Sequence, residues 1–297
     1  MKIFKAARKT RGNPLTRDLS PEPVSGPAQE PLRCLLQHFQ SEDAGGRTVW
    51  RRQLVVSETK NDVAVVILCG GKGSRIYPFT EYFPKPMMPI NGRPILVHLM
   101  HIYAGQGFRR FVLAAGHRKE MLFDYFEGRF SDWSVEILDT GLEADTGDRI
   151  RACFDHVGDR FFATYGDGLG NVDLQALLNF HSEKGGLATV TAVPLRSQYG
   201  TVQFNAAYQV ESFSEKPVIQ DYWINAGFFV FEKQSADHWQ GHNLESEILP
   251  HLANRRELYT YLHQGFWKSM DTSKDQQELE RLIGDGSAPW TPSSTPR

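Results

Sequence analysis

The run Val63-Ala64-Val65-Val66-Ile67-Leu68 opens directly into Cys69-Gly70-Gly71-Lys72-Gly73-Ser74-Arg75, and it constrains the fold more than any other feature. Six apolar residues in succession, rich in β-branched side chains, read as a strand buried on both faces. Such a strand needs a layer above it and a layer below, and the downstream segments can supply both. Pro94 to Tyr103 reads as a helix with Pro in its first turn, Phe111 to Ala115 as a strand, Lys119 to Phe126 as a helix and Val135 to Leu138 as a strand. Asp148 to His156 (helix), Phe161 to Tyr165 (strand), Asp173 to Lys184 (helix) and Leu187 to Val193 (strand) continue the alternation. Strands separated by helices imply parallel pairing with helices on both faces. The fold class expected is α/β, a Rossmann-like, doubly wound, mostly parallel sheet.

The rhythm changes after Val193. Gly200 to Phe204 and Tyr208 to Phe213 are short and look paired, and Ala226 to Phe231 is a third apolar strand. This stretch reads as a small mixed β insertion that closes one side of a cleft. Leu244 to Asn254 and Lys274 to Ile283 read as helices. The domain therefore spans residues 61–290, with a short tail at 291–297. Residues 1–60 are rich in Pro, Arg, Ser and Glu, and their one clear apolar cluster, Leu32 to Leu36, suggests a short helix. That composition buries little core, so a flexible extension is expected, with a docking or oligomerisation arm as the alternative.

Charge and cysteine content narrow the class. A net charge of -2 over 297 residues gives no broad electrostatic reason to expect nucleic acid or a membrane surface as partner. Positive charge for an anionic ligand must then be local. The three cysteines, Cys34, Cys69 and Cys153, lack metal-ligand spacing and favour a reduced, cytoplasmic setting. The basic first residues are not followed by a long apolar run, so no signal peptide is expected. No stretch approaches the ~20 apolar residues of a spanning helix.

Glycines after a strand let backbone N–H groups approach a phosphate, and ligands of doubly wound sheets bind where such loops fall. The loop does not fit the P-loop, since Lys72 precedes Gly73. Nor does it fit the dinucleotide fingerprint, since Ile76 stands where a small residue is required. Taken alone it could equally be a tight turn. The continuation Phe83-Pro84-Lys85-Pro86-Met87-Met88-Pro89 adds a lysine held between two prolines. Each proline restricts its own φ and the residue before it, which makes Lys85 a prepositioned charge.

GGKGSR followed by FPKPMMPINGRPIL resembles the GGxGxR…PKPM signature of sugar-1-phosphate nucleotidyltransferases. The resemblance runs from Val63 to about Trp290. Its further blocks are Leu138 to Gly141, Thr146 to Arg149, Thr164 to Gly168, Glu215 to Pro217, Ile224 to Phe229 and Gly265 to Thr272. In this order they are most similar to the glucose-1-phosphate cytidylyltransferase branch, where YGDG, INGGFF and GFWQPMDT are characteristic. The resemblance implies roles by position. Gly70, Gly71 and Gly73 would line the nucleotide, with Thr140, Gly141, Thr146 and Gly147 near its base. Arg75 and Lys85 would hold the triphosphate and the transferred phosphorus. Asp167 and Asp271 would bind Mg²⁺. Glu215 would accept sugar hydroxyls, Lys216 would meet the sugar phosphate, and Tyr199, Gly200 and Asn225 would shape the pocket. It further implies an NTP, CTP first, and a sugar 1-phosphate, α-D-glucose 1-phosphate first, as substrates, with GTP, UTP or dTTP or another sugar as the alternative, and a homo-oligomer.

The chemistry so implied is in-line attack of a sugar-phosphate oxygen on the α-phosphorus, with pyrophosphate leaving. Two anions must meet. Two unit charges 4 Å apart repel by about 1 kcal/mol even in water, so cations must neutralise both partners. Positioning and electrostatics then supply most of the catalysis, without a covalent nucleophile. Each residue also has a plainer reading. Asp167 fits an Asp-Gly turn, and Asp271, Thr272 or Ser273 fits a helix cap. Glu215-Lys216 fits a surface ion pair. His98 and His101 fit structural positions on a helix.

The chain departs from the cytidylyltransferase pattern in three places. Only Glu127 to Leu138 separate the second helix from Asp139-Thr140-Gly141, Asp148 replaces the second glycine of TGGR, and residues 1–60 are additional. An added carboxylate near a triphosphate is unfavourable unless it points away or pairs with Arg149. A non-catalytic sugar-nucleotide-binding subunit is the competing function class, and retention of Lys85, Asp167, Lys216 and Asp271 argues against it. A nicotinamide dehydrogenase fails on the glycine spacing.

Overall fold

The structure, a computed structural model, describes residues 34–42, 48–56, 60, 62–73 and 82–291. The chain divides into two units, the second beginning at Glu58. In the first, β1 (Cys34–Glu42) and β2 (Thr48–Val56) form an antiparallel hairpin with Cys34 opposite Val56. The short helix expected over Leu32 to Leu36 is therefore corrected to strand from Cys34 onward. The later Thr48-Val49-Trp50 and Leu54-Val55-Val56 segments supply the β-prone partner that the sequence reading overlooked.

In the second unit, β3 (Ala64–Cys69) leads through the paired dipeptides β4 (Pro89–Ile90) and β5 (Arg93–Pro94) into α1 (Ile95–Gly105). There follow β6 (Arg110–Ala115), α2 (Glu120–Phe126), β7 (Ser134–Asp139), α3 (Thr146–Arg151), β8 (Arg160–Tyr165), β9 (Gly168–Gly170) and α4 (Leu174–Lys184). The remainder is β10 (Ala188–Arg196), β11 (Thr201–Phe204), β12 (Val210–Ser214), β13 (Val218–Glu232), α5 (Leu249–Asn254), β14 (Leu258–Leu262), β15 (Trp267–Ser269) and α6 (Ser273–Gly284).

A seven-stranded sheet in the order β14-β10-β13-β8-β3-β6-β7 carries the fold. Every neighbouring pair is parallel except the two that β13 makes, with β10 and with β8. The doubly wound, mostly parallel sheet read from the sequence is thus the architecture. Side chains of the first strand alternate between two cores as a strand buried on both faces requires. Val65, Ile67 and Cys69 join one, with α1, α2 and α4, while Ala64 and Val66 join the other, with Ile150 of α3 and Leu249 and Leu252 of α5. Phe161, Phe162, Phe228, Phe229 and Phe231 are all fully buried. Burying each is worth about 2–3 kcal/mol before entropy is counted.

One strand placement is corrected. Ala226 to Phe231 is not part of the small insertion; it is the inner half of β13, at the centre of the main sheet. An apolar run buried on both faces looks the same whether its neighbours run parallel or antiparallel. The insertion is the β11–β12 hairpin, with the exposed outer half of β13 beside it in sequence. The ribbon of β9 with β15 and the edge strand β14 were not read from the sequence.

Candidate active site

The chain reverses its direction of winding at β3, which lies between β6 and β8, so the crevice of the sheet opens at the carboxyl ends of β3 and β8. The glycine loop Gly70-Gly71-Lys72-Gly73 leaves β3 there, and Gly166-Asp167 leaves β8 beside it, with Gly166 N–H donating to Leu68 O at 3.2 Å. Between the prolines, Lys85 begins one turn of 3₁₀ helix, closed by Met87 N–H to Pro84 O (2.8 Å) and anchored by buried Pro86 and Met87. The rigid segment expected from the sequence is thus fixed from below by packing.

Lys85 Nζ donates to Asp167 Oδ2 and, at 2.8 Å, to Asp271 Oδ1. Residues distant in sequence meet because β15 pairs with β9, and Met270 N–H closes the ribbon on Asp167 O at 3.0 Å. Trp267 Nε1 ties the ribbon to the sheet through Ala226 O (2.7 Å). The plain reading of Asp271 as a helix cap is answered here. Thr272 caps α6 in a capping box with Asp275. Asp271 instead accepts from Ser269 Oγ at 2.7 Å and from Lys85. Two carboxylates converging on one cation, without Cys or His among the ligating groups, suit a hard ion such as Mg²⁺, which takes one or two carboxylates together with substrate phosphates and water.

The side of the crevice that the resemblance gives to the nucleotide rests on Arg149, to which the sequence reading gave no role beyond a possible pairing with Asp148. Arg149, on α3, is 4% exposed and lies under three loops. Its guanidinium donates to Thr140 Oγ (2.7 Å), Gly141 O (2.8 Å), Leu142 O (3.2 Å) and Ala115 O (3.4 Å). A Cβ on Gly70 would stand 2.1 Å from Arg149 Nη1, and one on Gly116 2.5 Å from it. Both glycines are needed for this close approach. Burial draws the Arg149 pKa down from the ordinary arginine range, against the pull of Asp145. Thr140 spends its hydroxyl on Ala115 O and Arg149, so it shapes the loop from within. Lys72 of the glycine loop pairs with Glu143 at 2.7 Å, on the exposed side.

The other expected residues fall in three groups. Asn225 belongs with the centre: its Nδ2 donates to Tyr165 OH (2.9 Å), two residues before Asp167. Thr146 and Gly147 are engaged by the 242–248 segment. Thr146 Oγ bonds Glu245 and Leu244 N–H, and Gly147 packs closely against Ile248 and His242 O. Tyr199, Gly200, Glu215 and Lys216 lie around the β11–β12 hairpin, where Gly200 abuts the Phe213 ring and the Glu215 carboxylate. Tyr199 is 77% exposed, and among the described residues Glu215 and Lys216 make no ion pair. Lys216 has φ 48, a left-handed turn conformation. Arg75 lies outside the described residues. Asp148 does not pair with Arg149; it turns away to Arg151 (2.7 Å) and His242 (2.8 Å), which removes the objection to a carboxylate at that position. His98 and His101 bond Ile90 O and Val97 O, as structural histidines do.

Fold and site together define an α/β enzyme built for phosphate-ester chemistry. The nucleotidyl transferase family matches residues 64–281, and the chain belongs to that family. It is 37% identical over 250 residues to a probable glucose-1-phosphate cytidylyltransferase of Bacillus subtilis, covering 76% of this chain and 98% of the relative. It is 36% identical over 251 residues to the glucose-1-phosphate cytidylyltransferase of Salmonella typhimurium, covering 76% and 97%. Among solved structures it is similar to HddC from Yersinia pseudotuberculosis, with a TM-score of 0.60 at 20% identity over 74% of this chain and 99% of that one, a likeness of fold. Among the described residues, no helix is long and apolar enough to cross a membrane.

Proposed function

We propose that the protein transfers the cytidylyl group of CTP to α-D-glucose 1-phosphate, giving CDP-glucose and pyrophosphate, as a cytoplasmic enzyme. The observation that carries this reading is the meeting of Lys85, Asp167 and Asp271 at the sheet's switch point. Cytidylyltransferase relatives that the chain spans almost end to end supply the choice of substrates.

A sugar-phosphate oxygen forms the new bond to the α-phosphorus as the bond to the pyrophosphate oxygen breaks; the attacking phosphate is already an anion, so no base is required. Lys85, pinned between prolines, lowers the repulsion between the two phosphates and holds the carboxylates in register. The pair Asp167 and Asp271 would hold Mg²⁺, which would supply positive charge to offset that of the phosphates. The Gly70–Gly73 backbone lines the triphosphate with Arg75. Arg149 fixes the Gly141 loop beside it. On the other side, Lys216 meets the sugar phosphate, and Glu215 and Asn225 take sugar hydroxyls.

A pyrophosphate-release assay with Mg²⁺, crossing CTP, UTP, GTP, dTTP and ATP with glucose, mannose and galactose 1-phosphates, tests the reading. Release with CTP and glucose 1-phosphate alone is expected. Release with another pair would overturn the specificity, and none with any pair would overturn the reaction.

A further inference from the structure

A hydrogen-bonded chain runs from α3 to β13, and of its side chains the proposed reaction gives a part only to Asn225. Thr146 Oγ donates to Glu245 Oε2 at 2.7 Å, and Tyr165 OH donates to Glu245 Oε1 at 2.5 Å. Asn225 Nδ2 donates to Tyr165 OH at 2.9 Å, and Asn225 Oδ1 accepts from Gly227 N–H at 2.7 Å.

A carboxylate only accepts, so Glu245 sets the sense of every later bond in the chain. Tyr165 must point its proton at Glu245, which leaves its oxygen to accept from Asn225. The Asn225 amide is thereby held one way round, with Oδ1 on Gly227 N–H and the second proton of Nδ2 left for a ligand hydroxyl.

The rest of the local structure fixes the two ends. Glu245 stands on a π-helical turn, Leu244–Ile248, a feature that recurs at functional sites. The turn is tied down by Asn243, whose Oδ1 accepts from Glu245 N–H (3.0 Å) and Ser246 N–H (2.8 Å). Leu244 N–H donates to Thr146 Oγ at 2.9 Å, so the same turn is locked to α3. The Tyr165 ring lies against Gly227, whose φ is +76 and where a Cβ would stand 2.2 Å from the ring. Glycine at this position leaves the room that the ring occupies.

We propose that Glu245 is a positioning residue for the sugar 1-phosphate, acting through Tyr165 to orient the Asn225 amide toward a sugar hydroxyl. The proposal rests on the transfer reaction of the preceding subsection. Tyr165 stands two residues before Asp167 on the same strand end, so the device ties sugar orientation to the carboxylate pair.

The test is the KM for glucose 1-phosphate and for CTP, with kcat, in Tyr165→Phe, Glu245→Leu, Glu245→Gln and the Tyr165→Phe/Glu245→Leu double variant. Tyr165→Phe is expected to raise the sugar-phosphate KM roughly tenfold, the worth of about one hydrogen bond, with the CTP KM unchanged. Glu245→Leu should do the same, and the double variant should add little to either, since both cut one chain. Glu245→Gln keeps an oxygen for Tyr165 and should stay within about threefold of the parent. Should Glu245→Leu fail to fold, Tyr165→Phe against Glu245→Gln decides. Effects that add in the double variant, a sugar-phosphate KM that does not move, or an equal rise for CTP would overturn the proposal. An unmodified enzyme without transferase activity would instead overturn the reaction itself.

Discussion

The two sides of the proposed site are built by different means. On the nucleotide side, the loops after β3, β6 and β7 are drawn together from beneath by one buried guanidinium, Arg149, with glycines where it approaches. On the sugar side, Glu215 and Lys216 come directly after the β11–β12 hairpin, whose strands are exposed almost throughout, with Val202, Phe204, Val210 and Phe213 each more than 45% exposed. The first wall inherits its geometry from the core. The second has little packing behind it, and segments with few buried apolar contacts open locally at low cost. Between them stand Lys85 and the two aspartates. In the proposed site, a floor fixed by the core would handle the phosphates and an exposed arm would face the sugar.

The largest effect is expected at the junction of the two sides. Asp271→Asn should lower kcat by ~100- to 1,000-fold while nucleotide binding by calorimetry is partly kept. An unchanged rate would remove Asp271 from the reactive centre. Next comes the floor. Arg149→Met leaves several buried carbonyls without a donor and should cost about 3 kcal/mol in urea denaturation, with a raised CTP KM. A variant as stable as the parent would show that the floor does not depend on the guanidinium.

The arm should behave oppositely. Lys216→Ala is expected to raise the sugar-phosphate KM by roughly 30-fold through loss of a charge-assisted contact, with stability unaltered. A larger effect on the CTP KM would place Lys216 on the other side. The smallest effect belongs to the exposed strands themselves. Val210→Ser should change stability by less than about 0.5 kcal/mol. A loss of several times that would show that the hairpin is packed against something, and the contrast between the two sides would fall.

Periodicity and punctuation made much of this legible. The first strand, α1, α4 and α6 were readable because apolar runs and capping residues marked them, as Asp173 does for α4. Lys85 was readable because its prolines removed alternatives. The pairing of Asp167 with Asp271 was readable only through the family resemblance, since the ribbon that joins them, β9 with β15, is three residues long and too short to show a period. Arg149 was weighed only as a partner for Asp148, because nothing in the helix pattern marks an arginine as buried. Only the close approach of Gly70 and Gly116 reveals where it goes, although the neighbouring glycines were a signal for something passing close. The central place of β13 escaped because an apolar run does not announce its direction.

The most direct test of the proposed reaction tracks its atoms. With glucose 1-phosphate carrying ¹⁸O in its phosphate, CTP and Mg²⁺, mass spectrometry should find all of the label in CDP-glucose and none in pyrophosphate, as attack by the sugar-phosphate oxygen on the α-phosphorus requires. Label in pyrophosphate, or turnover without CDP-glucose, would contradict the reaction assigned to Lys85, Asp167 and Asp271.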